Sequence, residues 1–166
     1  MNYPSVFAGY YNAANFAYGL PGGPGALVIQ QTPQITATSP VTDQSATVAY
    51  GYTTTIDGIV FYPLNTNADV SVGSDDNAEI VTPASVTNGG QVYQGSKFTA
   101  PFENDHGSGD PVASATIGLQ EAANYAHLQG GGIVVIDSEW TRLGGTQTMY
   151  DNVTLPSGVT KQDNRG

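Results

Sequence analysis

Cysteine is missing from this 166-residue chain. That excludes a disulfide-stapled scaffold, thiolate metal sites and thiol catalysis. Positive charge is nearly missing as well. Lys97, Arg142, Lys161 and Arg165 are the only permanent cations, set against 14 acidic residues for a formal charge of −10. Nucleic acid needs a basic stripe to displace its counterions, and an anionic membrane surface needs clustered cations. Four scattered cations supply neither, so no nucleic-acid or membrane partner is expected. No run approaches the roughly 20 apolar residues of a membrane-spanning helix. Residues 1–20 also lack a basic start followed by a continuous apolar stretch, so they do not read as an export signal. A composition of extracellular type without such a signal suits a protein released by lysis, and so a virion component.

The polar content lies in Thr, Asn, Gln, Ser and 21 glycines, while charged residues make up 11%. Disorder couples low hydrophobicity to abundant charge and few aromatics. Ten Tyr, five Phe and one Trp argue the other way. Short strands and tight turns fit this composition. The expected fold is mainly β: a small antiparallel sandwich or barrel, one α-helix followed by a glycine turn and a buried strand, and an extended N-terminal arm.

Three segments follow. Residues 1–25 form an aromatic and glycine-rich arm, ending in the breaker run Leu20-Pro-Gly-Gly-Pro-Gly25. Between Val6 and Tyr18, helical spacing of Phe7, Tyr10, Tyr11 and Tyr18 predicts a short helix. An aromatic stripe is most often core. The sharper expectation, given the Pro/Gly run, is an arm that buries Phe7, Tyr10, Tyr11, Phe16 and Tyr18 against a neighbouring subunit. Its deletion would then leave the β region folded.

Residues 26–109 read as the β-rich domain. Strands are expected at 26–30, 46–52, 59–62, 69–72, 79–81, 91–93 and 97–102. Ala46, Val48, Tyr50 and Tyr52 alternate onto one face, and Asp57-Gly58 marks a tight turn. Residues 110–166 hold the helix–strand element and tail. Asp110 and Pro111 fit an N-cap and first helical position, with Ser114 or Thr116 as later starts. Ile117, Leu119, Ala122, Ala123 and Ala126 share an apolar face, opposite Gln120, Glu121 and Asn124. Gly130-Gly-Gly132 stops the helix and Ile133–Ile136 is a buried strand.

Three polar groupings invite chemistry. Asp69, Asp75, Asp76, Asn77 and Glu79 crowd one turn with the oxygen ligands that suit Ca²⁺; a solvated turn is the commoner outcome. Glu103, Asp105, His106 and Asp110 could serve as a carboxylate pair, a histidine base or a metal set. The plainer reading is a polar loop that caps the helix. Asp137 and Glu139 beside Trp140 suit a glycan contact through Trp140, whose plainer role is a packing anchor. No nucleophile elbow or phosphate loop is present. No catalytic residue is assigned, no cofactor is expected beyond the Ca²⁺ reading, and no other metal site is assigned.

The run Thr116-Ile-Gly-Leu-Gln-Glu-Ala-Ala-Asn-Tyr-Ala126, then Gly130-Gly-Gly-Ile-Val-Val-Ile136, resembles the helical N-terminal cap of pectate-lyase-like right-handed β-helices. Leu155-Pro-Ser-Gly-Val159 is similar to the entry into their first coil. The resemblance covers about a third of the chain and implies a link to bacteriophage tailspikes, fibres and other virion proteins. A catalytic β-helix carries its acidic cluster on middle coils. No such coils lie in this sequence, and no family residue is carried over.

The expected function is therefore a non-catalytic structural component of a virus particle: capsid-decorating, head-fibre or tail-associated. It would contact other virion proteins as a homo-oligomer, a trimer or higher ring. The alternative is a glycan-binding or glycan-degrading module of β-helix type.

Overall fold

The computed structural model describes residues 6–7, 9–20, 23–30, 33–50, 55–56, 59–60, 63–87, 95–136 and 153–163. The described strands and helix are, in chain order, β1 (Val6–Phe7), β2 (Tyr10–Asn12), β3 (Leu27–Ile29), β4 (Asp43–Tyr50), β5 (Thr55–Ile56), β6 (Ile59–Val60) and β7 (Val70–Val72). They continue as β8 (Glu79–Val81), β9 (Ser85–Thr87), β10 (Ser96–Pro101), β11 (Pro111–Ser114), α1 (Leu119–Leu128), β12 (Gly132–Ile136) and β13 (Val159–Asp163). The protein is mainly β with one α-helix among the described residues. Its larger sheet is antiparallel and seven-stranded, in the order β8-β7-β11-β3-β4-β10-β9, and it does not close into a barrel.

Period-two burial explains why these segments become strands. Ser96, Phe98 and Ala100 of β10 point into the core, while Lys97 and Pro101 are exposed. Val70 and Val72 of β7 are buried around a half-buried Ser71. In β4, Ala46 and Val48 are fully buried, as the alternation predicts. One core collects on this sheet from Leu27, Ile29, Ile35, Phe98, Phe102, Val112 and their neighbours, with Tyr18 among them. Thr55 pairs with Val60 and Ile56 with Ile59 on either side of positions 57–58, in line with the expected hairpin.

The second sheet runs β1-β2-β12-β13. Here β12 lies parallel to both β2 and β13, with Val134 opposite Tyr11 on one side and Lys161 on the other. Helix α1 packs over it, and the second core joins Tyr11, Phe16, Leu119, Ala122, Ala123, Tyr125, Val134, Ile136 and Val159.

Three expectations need correction. Residues 10–16 form β2 and a 3₁₀ turn at Ala13–Phe16. Asn12 accepts the Ala14 backbone N–H through its side chain at 3.1 Å, which favours a short capped turn after a strand over a continuous helix. The helix begins at Leu119, with the left-handed Gly118 (φ 83°) ahead of it. Residues 111–114 instead form β11, because Val112 and Ser114 alternate into the core between β3 and β7. Finally, Gln120 and Glu121 are buried at 0% and 1% exposure. Other parts of the chain cover the face that helical spacing leaves to solvent.

Candidate functional site

Residues 11–18 are built into the interior. Tyr11, Phe16 and Tyr18 are 5%, 0% and 0% exposed. The Tyr125 ring meets Tyr11 edge-on at 5.6 Å and tilts against Phe16 at 5.1 Å. These three rings are spent inside this chain, which is the common fate of such a stripe. Tyr10 is half-buried on β2, and Phe7 lies on β1. The backbone fit is equally close. A Cβ added to Gly118 would meet Ala13 O, fall 2.6 Å from Ala17 N and lie 2.9 Å from Phe16 C. The helix start therefore rests directly on the 13–17 backbone, and only glycine permits the approach.

The structure brings together parts of the two acidic groupings. His106 is fully buried. Its Nε2 lies 2.7 Å from Glu79 Oε1 and its Nδ1 3.2 Å from Asp110 Oδ2. Carboxylate oxygens only accept, so a ring carrying both protons donates to each acid, and a ring carrying one leaves one contact without its hydrogen. Glu79 also accepts the backbone N–H groups of Glu103 and Asn104 at 2.9 and 3.0 Å. Asp110 accepts from Asn77 Nδ2 at 3.1 Å and from the Gly107 N–H at 3.3 Å. The His106 backbone pairs with Ile35 in an isolated antiparallel bridge. Phe102 closes over the imidazole edge at 5.5 Å.

This arrangement is a clamp. It ties the 103–110 loop to β8 and to the 33–37 segment, where Asp105 Oδ1 accepts the Ala37 N–H at 2.5 Å. With no exposed ring nitrogen, His106 presents no base to a substrate. The remaining acids diverge: Asp69 accepts from Thr82 Oγ1 at 2.6 Å, while Asp75 and Asp76 are exposed on a 3₁₀ turn. Among the described residues, no group of three or more His, Cys, Asp or Glu side chains is placed to hold a metal ion. Asp137, Glu139, Trp140 and Arg142 lie outside the described residues.

Sequence reasoning missed the polar content of α1. Burial pushes the Glu121 carboxyl up to about 7, against weaker opposing hydrogen bonds from its own backbone amide, Thr116 and Ser114; nearby Asp69 adds to the rise. Thr116 Oγ1 donates to Oε2 at 2.8 Å. Oε1 is buried without a partner of ordinary hydrogen-bond geometry. On the preceding residue, the Gln120 side chain behaves as a strand partner. Its Nε2 donates to Thr154 O at 2.8 Å and its Oε1 accepts the Thr154 N–H at 2.7 Å. Asn124 exchanges reciprocal amide bonds with Asn67 at 2.8 and 2.9 Å, and His127 Nδ1 lies 3.0 Å from Ser157 O. The i, i+4, i+7 spacing of Gln120, Asn124 and His127 was the available signal. Read as a solvated face, it instead seats the 65–67 and 153–157 segments.

The capped unit is thus assembled from three parts: α1, a glycine turn and stacked parallel strands. Gly130, Gly131 and Gly132 have φ values of 96°, 114° and 157°. All five residues of β12 then stand in register with β13, from Gly132 opposite Val159 to Ile136 opposite Asp163. No known protein family matches this chain, and no curated protein or solved structure is similar to it.

Proposed function

We propose that this chain is a non-catalytic building block of a virus particle, a capsid-decorating, head-fibre or tail-associated protein that acts through oligomeric assembly. The observation that carries the reading is the parallel stack of β2, β12 and β13 beneath α1, with β13 as the last strand of its sheet among the described residues. Strands stacked in parallel register beneath a capping helix have the form of a solenoid start, and each coil of a solenoid contacts only its neighbours. A strand at the edge of a sheet is a template onto which a further strand can add. The low charge content and the Thr/Asn/Gln surface suit a particle component. Sealing of His106 between two acids supports a structural role for the most catalytic-looking group described.

The partners in this reading are other virion proteins and further copies of the chain, with a trimer as the expected state. Light scattering coupled to size exclusion tests it: the expected mass is a multiple of 17.2 kDa. A single-chain mass at the highest soluble concentration, unchanged by added particle proteins, would sink the proposal.

A further inference from the structure

A cleft of about 390 Å³ opens between the 65–67 segment, the C-terminal end of α1 and Pro156, lined by Thr66, Asn67, Asn124, His127 and Leu128 among others. That volume is at the lower end for ligand sites. We propose that this cleft binds a neutral carbohydrate through sugar hydroxyls. The inference is independent of the assembly reading.

Hydrogen-bond arithmetic at the lining gives the ligand class. Asn124 Oδ1 accepts from both Asn67 Nδ2 and Gln120 Nε2, so its two lone pairs are occupied. Asn124 Nδ2 gives one hydrogen to Asn67 Oδ1. Each asparagine therefore keeps one N–H, and Asn67 Oδ1 keeps one lone pair. Ser157 O can only accept, so the contact with His127 fixes the hydrogen on Nδ1. In the neutral ring, Nε2 is then a bare acceptor. The Thr66 hydroxyl adds a group that both donates and accepts. The result is a mixed set of donors and acceptors without a formal charge, which matches hydroxyl groups, since each of them donates and accepts.

Charge narrows the class further. Among the described residues no Asp or Glu lines this cleft, although the chain carries 14 of them and a net charge of −10. A cation would find no counter-ion there, and an anion would enter a negative field. Leu128, 73% exposed at the rim, and Pro156 offer an apolar surface for the C–H face of a pyranose. The walls are preset: Gln120 fixes both Asn124 and Thr154, and His127 holds Ser157. Groups held before binding lose less freedom on binding.

The test is a ¹⁵N-resolved NMR titration of the full chain with glucose, galactose and N-acetylglucosamine in turn, with glycerol and glucuronate as comparators. Saturable shifts of the Asn67 and Asn124 side-chain amide signals are expected with at least one neutral sugar. Asn67→Ala weakens that binding about tenfold or more, the scale of one or two net hydrogen bonds. Leu128→Ser, an exposed change that leaves the fold intact, weakens it as well. The proposal is overturned if no neutral sugar saturates, if glycerol gives the same response, if glucuronate binds tightest, or if both variants bind as the parent does.

Discussion

His106 Nε2 and Glu79 Oε1 stand 2.7 Å apart, with the imidazole 0% and the carboxylate side chain 11% exposed. This pair joins the 103–110 loop to β8, where the same carboxylate also accepts the Glu103 and Asn104 backbone N–H groups. Side-chain hydrogen bonds take the place of ladder pairing there, because the 103–110 loop is too rich in glycine and polar residues to extend the sheet.

Removing the ring should therefore be costly. His106→Ala leaves two carboxylates facing a void, and a loss on the order of 3 kcal/mol is expected for a buried, charge-assisted network. Chemical denaturation measures it. An unchanged midpoint in the alanine variant means the clamp contributes nothing to stability.

Glu121 gives the fold a pH dependence of definite sign. Its carboxyl titrates near 7 in the fold, above its ordinary 4.5, so between these values the folded chain holds a proton that the unfolded chain has lost. Stability is greatest below about pH 4.5 in this respect, and falls as pH rises toward 7 by on the order of 3 kcal/mol. Other acids titrate too, so the informative quantity is the difference from Glu121→Gln. That variant should gain on the parent as pH rises from 5 to about 8. Parallel stability curves would show the carboxyl to be unimportant.

Phe16→Ala should cost about 3–5 kcal/mol, the range for emptying a buried aromatic site. Deletion of residues 1–20 should abolish the near-ultraviolet dichroism and cooperative melting of the remainder. The outcome is the opposite of that expected for a separable arm, because Tyr11, Phe16 and Tyr18 line both principal cores. A deletion variant that melts with one sharp transition overturns this.

Glycine substitutions separate strain from crowding. Gly109 (φ 96°) has open space where a Cβ would sit, so Gly109→Ala should cost about 1–2 kcal/mol, the left-handed backbone penalty alone. Gly118→Ala adds a collision with the backbone of residues 13–17 and should be markedly worse. Equal losses by thermal melting would show that the helix start has room to move.

Much of the β framework was legible. Val70–Val72 and the Ala46–Val48 alternation carry period-two patterns that burial rewards, and Gly130–Gly132 mark a forced turn. Glycine and proline punctuate because of backbone sterics, which the sequence alone determines. What stayed hidden depends on partners distant in sequence. Residues 111–114 resemble a helix start until β3 and β7 are seen to flank them. Val159–Asp163 has little apolar character, with only Val159 buried, and becomes a strand because β12 offers it a ladder. Gln120 and Glu121 look solvated because helical periodicity reports which residues are apolar, and says nothing of what covers the polar ones. The sealing of His106 was equally invisible, since Glu79 lies far from it along the chain.

The parallel pairing of Tyr10–Asn12 with Ile133–Val135 also constrains how the molecule is made. During synthesis, the early segment leaves the ribosome long before its strand partner and the helix that covers its rings. Those rings must wait, wet and adhesive, until most of the chain has emerged. The demanding stage of this protein's life is thus its birth, and the yield of folded molecules should be sensitive to crowding of nascent chains.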